Sequence, residues 1–85
     1  MPIDCLLEYS IVGEDGEHQG TVVNLSHNGI LFTTDEPLDV GRLLSIVLTA
    51  GDVTAPPLRA TVKVTRLTDN GVNYEVACII RRQFD

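Results

Sequence analysis

The sequence predicts an all-β fold, a small six-stranded antiparallel β-barrel, and three observations lead there. Ten valines, six isoleucines and eight threonines among 85 residues favour extended backbone over helix. Apolar residues recur with period two in six short stretches. Glycine, proline, asparagine and aspartate gather between those stretches, where turns belong. Closure into a barrel follows because six short strands on short connections would otherwise expose two long edges.

The first strand is read from Ile3, with Ile3, Cys5, Leu7, Tyr9 and Ile11 in the apolar phase and Asp4, Glu8 and Ser10 opposite. Gly13-Glu-Asp-Gly16 is a turn. Gln19 to Leu25 forms the second strand, with Thr21, Val23 and Leu25 in phase, and Asn28-Gly29 predicts a tight primed turn with positive φ at both residues. Ile30, Phe32 and Thr34 continue into the third strand. Pro37 and Gly41 bracket a longer connection to the fourth, where Leu44, Ile46 and Leu48 have apolar neighbours, Leu43 and Val47, that predict burial on both faces. Gly51 to Pro57 is a loop.

The cleanest alternation runs from Leu58 to Val64, with Leu58, Ala60, Val62 and Val64 opposite Arg59, Thr61, Lys63 and Thr65. Asn70-Gly71 predicts a second two-residue hairpin loop, pairing Leu67 with Tyr74 and Arg66 with Glu75. Keeping Val64 on the core face beside Val76, Cys78 and Ile80 then requires one extra residue, a β-bulge at Thr65 and Arg66. The tail from Arg81 to Asp85 is read as the start of a helix that the chain does not complete. Leu6, Val12, Val22, Leu31 and Leu43 fall on the opposite phase, where an outer apolar patch would serve a protein partner or a homodimer.

Residues 1 to 85 are expected to form one domain, since the chain is too short to share two cores. Twelve acids against six bases give a net charge of −6, which argues against binding to DNA or an anionic membrane. No apolar stretch approaches the ~20 residues that span a bilayer. The first residues lack the features of a secretory signal, so the expected location is cytoplasmic. Cys5 and Cys78 are too few for a disulfide framework. With His18 and His27 they lack the short spacing of metal ligands, so no metal and no cofactor is expected. The charge is divided: residues 1 to 41 carry eight acids and no Lys or Arg, and residues 42 to 85 carry all six bases and four acids.

The stretch from Gly20 to Phe32 contains Asn24, Ser26 and Gly29 in an Asn-x-Ser-x-x-Gly pattern where the second strand meets the third, followed by Ile-Leu-Phe. With the strand order above, this resembles the PilZ domain family over roughly residues 2 to 80. The resemblance implies a bacterial signalling domain, a receptor for cyclic diguanylate (cyclic di-GMP), rather than an enzyme. It implies that Asn24 and Ser26 offer polar atoms to guanine and phosphate, and that Gly29 lets the backbone approach the base without a Cβ in the way. His27 and Asn28 would line the rim. Read without the resemblance, the same three residues cap and turn a hairpin.

The chain departs from the family pattern in one respect. Ligand-binding members carry an Arg-x-x-x-Arg segment before the first strand, whereas the earliest cation here is Arg42. Without those guanidinium contacts, and with the acidic half expected around the hairpin, binding of a dianion should be weak or absent. Arg81 and Arg82 form the only adjacent basic pair and are candidates for a phosphate contact. Two functions follow: a cyclic di-GMP receptor acting through Asn24, Ser26 and Gly29, or a ligand-free adaptor that docks another protein. Ser26 beside His27 is not read as a nucleophile and base, because no acid is spaced to orient the imidazole. Asn24-Leu25-Ser26 matches a glycosylation acceptor, which needs a secretory route.

Overall fold

The computed structural model describes residues 6–49 and 58–84, which form six strands and no helix. They are β1 (Leu6–Ile11), β2 (His18–Leu25), β3 (Gly29–Thr34), β4 (Leu43–Thr49), β5 (Leu58–Asp69) and β6 (Tyr74–Phe84). Every neighbouring pair is antiparallel, and the order β1-β2-β3-β6-β5-β4 closes on itself through β1 and β4. The all-β barrel expected from the sequence is therefore the fold. Expectations for Ile3, Cys5, the Gly51 to Pro57 loop and Asp85 lie outside the described residues.

The core follows the alternation of the strands. Leu7, Tyr9, Phe32, Leu44, Ile46, Ala60, Val62, Val64, Val76 and Cys78 point into the barrel and are buried. β4 is buried on one face only, because Leu43 stays 41% exposed and Val47 half-buried. Leu38, in the β3–β4 connection, joins the core cluster although no strand carries it. Inside, the Tyr9 hydroxyl and Thr34 Oγ1 are hydrogen-bonded at 2.8 Å, so this buried phenol is satisfied.

Up to Val23 the phase of β2 is the reverse of the expected one: Val22 faces the core, while Thr21 and Val23 face outward. Leu25, past the bulge, pairs with the inward Ile30 but stays 38% exposed. The inward position before Val22 belongs to Gly20, and the side chains of Phe32 and Leu7 fill the space that a larger residue would take there. A glycine on the inner face hides the alternation from the sequence. Beyond Val22 the register slips by one, since Val22 pairs with Phe32 and Asn24 with Leu31. Val23 is thus a bulge, and Asn24 is turned to the outer wall beside Leu31.

Both hairpin loops are longer than expected. No non-glycine residue has positive φ, and Gly29 is extended within β3, so the β2–β3 turn is not a primed two-residue turn. It is instead the loop 26–28, closed by the Ser26 N–H donating to the Gly29 carbonyl at 2.9 Å. At the β5–β6 turn, Asp69 pairs with Tyr74, Thr68 with Glu75 and Leu67 with Val76, leaving a four-residue loop. The Asn70 side chain accepts from the N–H groups of Val72 and Asn73, while Gly71 takes the positive φ. These side-chain bonds stabilise a longer Asx-type turn in place of the tight one.

Two further bulges shape the β5–β6 ribbon. Val64 pairs with Cys78 and Arg66 with Ala77, so Thr65 is the extra residue, as the phase argument required. Its hydroxyl donates to the Ala77 carbonyl at 3.0 Å. Thr61 pairs with Arg82 and Val62 with Ile80, which makes Arg81 an extra residue in β6. The expected helical tail is in fact strand: Arg82, Gln83 and Phe84 pair with Thr61, Ala60 and Arg59, and the edge of β5 supplies backbone partners that a helix would forgo.

Candidate functional site

The β2–β3 hairpin leads a shallow depression on the outer wall of the barrel. Asn24, Ser26, Gly29, Ile30 and Leu31 line it, and its volume is about 180 Å³. The three motif residues are therefore brought together, Asn24 by the Val23 bulge and Ser26 by the loop closure. The Ser26 hydroxyl donates to the Gly29 carbonyl at 3.3 Å, the capping role that the sequence alone allows. The Asn24 amide makes no side-chain hydrogen bond among the described residues, so its donors and acceptor face the depression without a structural duty.

Gly29 sits in tight packing that a side chain would press on. A Cβ at this position would lie 3.1 Å from the Cys78 carbonyl and 3.4 Å from Ser26 Oγ. His27 and Asn28 are exposed at the loop tip, and the Asn28 carbonyl accepts from the Ile80 N–H at 2.9 Å, which ties the tip to β6. Arg81 and Arg82 follow directly in β6, past the tip, and neither lines the depression.

Directly opposed residues in antiparallel strands share a face. Two outward rows therefore cross the wall from the hairpin, one to β5 and one through β5 to β4. One runs Asn24, Leu31, Ala77, Arg66; the other runs Gly29, Ile79, Lys63, Leu43. Leu31 and Ile79 are apolar surfaces beside the motif that sequence reasoning did not connect to it. Their signal was their position relative to Gly29, and that needed the β3–β6 register.

The acids lie elsewhere. Glu14, Asp15 and Glu17 occupy the β1–β2 turn, and Asp35, Glu36 and Asp39 the β3–β4 connection, both at the His18 end of β2. His18 Nδ1 is 3.9 Å from Glu36 Oε1 there, and Arg42 pairs with Glu14. The motif hairpin is at the other end of β2, seven residues or about 23 Å away. The acidic half of the sequence thus does not surround the hairpin as expected, because the strand carries the two ends apart. Among the described residues no group of three His, Cys, Asp or Glu side chains gathers as a metal site. Nor is any helix there long and apolar enough to cross a membrane.

The PilZ domain family model matches residues 3–84. The chain belongs to the PilZ domain family, whose members are signalling domains that bind cyclic di-GMP and often act with other proteins, rather than enzymes. No curated protein and no solved structure matches the chain significantly.

Proposed function

We propose that residues 1–85 act as one cytoplasmic cyclic di-GMP receptor module that holds its ligand at the β2–β3 hairpin. The observation that carries this reading is the gathering of Asn24, Ser26 and Gly29 around one outer depression, with the Asn24 amide uncommitted to the fold. In this reading Asn24 and Ser26 contact guanine and phosphate, and Gly29 keeps the approach free of a Cβ. His27 and Asn28 form the rim, and Arg81 or Arg82 meets a phosphate from the β6 side. A cavity of about 180 Å³ is smaller than the several hundred that enclose a drug-sized ligand, so only part of the dinucleotide enters and the rest lies on the wall.

Calorimetric titration of cyclic di-GMP into the protein, at low and at moderate salt, tests this. Binding is expected to weaken roughly tenfold in Asn24→Ala, the loss of one or two ligand hydrogen bonds, with unchanged thermal stability. Absence of heat for the unaltered chain at high ligand concentration would remove the receptor reading.

A second reading rests on a different observation. Leu6, Val12 and Leu43 are exposed at 65%, 52% and 41%, and such outward apolar residues suit an adaptor that docks a protein or a second copy of itself. Sedimentation as a monomer at all concentrations would remove the homodimer.

A further inference from the structure

We propose that Lys63 and Arg66 of β5 supply the phosphate contacts for the ligand held at the β2–β3 hairpin. This rests on the cyclic di-GMP reading above and adds two β5 cations to the β6 arginines that reading names. β5 and β6 carry five cations, Arg59, Lys63, Arg66, Arg81 and Arg82, against two acids, Asp69 and Glu75, in a chain whose net charge is −6. Six of the eight acids of residues 1 to 41 lie at the far end of β2. The wall beside the motif is therefore the basic side of an acidic protein.

Register then singles out two of the five. Arg66 shares an outward row with Ala77, Leu31 and Asn24, and Lys63 shares one with Ile79 and Gly29. Each cation stands two strand spacings, about 10 Å, from a residue lining the depression. In the Arg66 row only the methyl of Ala77 intervenes, so the wall between Leu31 and the guanidinium is low. In the Lys63 row Ile79, 41% exposed, offers an apolar surface on which a base can lie.

The Thr65 bulge has a consequence for this row. Val62 and Val64 point inward, so an unbroken alternation would aim residue 66 into the core, where a charge is costly. The extra residue at Thr65, held by its hydroxyl on the Ala77 carbonyl, turns Arg66 onto the motif's face. Neither Lys63 nor Arg66 forms an ion pair among the described residues, unlike Arg42, which is engaged by Glu14 at the other end. Bidentate guanidinium and ammonium donors at that separation suit two phosphates of a cyclic dinucleotide that reaches from the depression across Ala77.

The test is calorimetric titration of cyclic di-GMP at two salt concentrations into the unaltered chain, Asn24→Ala, the double variant Lys63→Gln with Arg66→Gln, Ala77→Leu, and Arg42→Gln. The double variant is expected to bind at least tenfold more weakly with a shallower salt dependence, and since both side chains lie on the outer face the melting temperature should stay unchanged. Ala77→Leu raises the wall while keeping every charge and should weaken binding as well, whereas Arg42→Gln should bind normally. Unchanged affinity and salt dependence in the double variant, alongside weakening in Asn24→Ala, overturns this proposal and leaves the receptor reading standing. No binding by the unaltered chain overturns both.

Discussion

The Gly29 carbonyl accepts twice from Ser26, from its N–H at 2.9 Å and from its hydroxyl at 3.3 Å. The backbone bond closes the hairpin by itself, and the hydroxyl bond is long and exposed. Ser26→Ala should therefore lower stability by less than about 1 kcal/mol, and Asn24→Ala, which loses no intramolecular bond, by less still. Urea unfolding of both variants checks this. A loss above about 2 kcal/mol at Ser26 would mean that the hydroxyl holds the loop, and a binding defect in that variant would then say nothing about ligand contact.

Gly20 and Gly29 differ in what surrounds them. A Cβ at Gly20 would sit 2.7 Å from the Thr33 carbonyl and 3.0 Å from Phe32, both fixed by the barrel, whereas at Gly29 the nearest atom is at 3.1 Å. Gly20→Ala is expected to cost about 2 to 3 kcal/mol, the range of an overpacked core. Gly29→Ala should cost about 1 kcal/mol, because the Cys78 carbonyl needs to give only slightly and the unfolded chain loses freedom. Thermal melting of the pair reads the difference. Equal losses would show that the β3–β6 contact is as rigid as the inner wall.

Much of this molecule was legible in the sequence because strand alternation is local. The Leu58 to Val64 pattern, the Thr65 bulge and the Asn-x-Ser-x-x-Gly motif all come from spacing within one or two strands. The bulge survived a wrong loop length because the hairpin register was off by two residues, and a shift of two leaves every side chain on its own face. What escaped reading was long-range. Gly20 concealed the inward phase of β2, since its empty place is filled by Phe32 from another strand. The rows joining Asn24 to Arg66 and Gly29 to Lys63 depend on β3 pairing with β6, a neighbour far away in sequence. Likewise the distance between the acidic turns and the motif is the length of β2, and charge counted along the chain does not measure it.

Tyr9 and Thr34 form the polar contact inside the barrel. Thr34 Oγ1 also accepts from the Glu36 N–H at 3.3 Å and its hydroxyl lies 3.5 Å from the Gln19 carbonyl, so it retains partners when the phenol is removed. Tyr9→Phe should then cost about 1 kcal/mol. Thr34→Val strands the buried phenol and the Glu36 N–H together and should cost about 2 to 3 kcal/mol. Chemical denaturation of the two variants tests the order. If Tyr9→Phe proved the worse, the phenol would be holding the β3–β4 connection by more than this bond.

Burial pushes the Cys78 thiol from its ordinary 9.0 up to about 12, and burial is also the main cause of the raised value at Tyr9, above 10.0. Below pH 9 both states keep the thiol protonated and it contributes nothing to pH dependence. Above pH 9 the unfolded chain releases this proton while the folded one holds it, so stability falls with rising pH until about 12. Tyr9 adds to the fall in the same direction from about pH 10. Urea midpoints between pH 7 and pH 11 are expected to be flat at first and then to decline. Cys78→Ala will start lower, because it opens a small cavity in the core. Its decline should nevertheless be shallower than that of the unaltered chain, since the buried thiol no longer resists ionisation. Parallel curves would show that Cys78 reaches solvent as thiolate without unfolding, and that the wall between β3 and β5 opens under alkaline conditions.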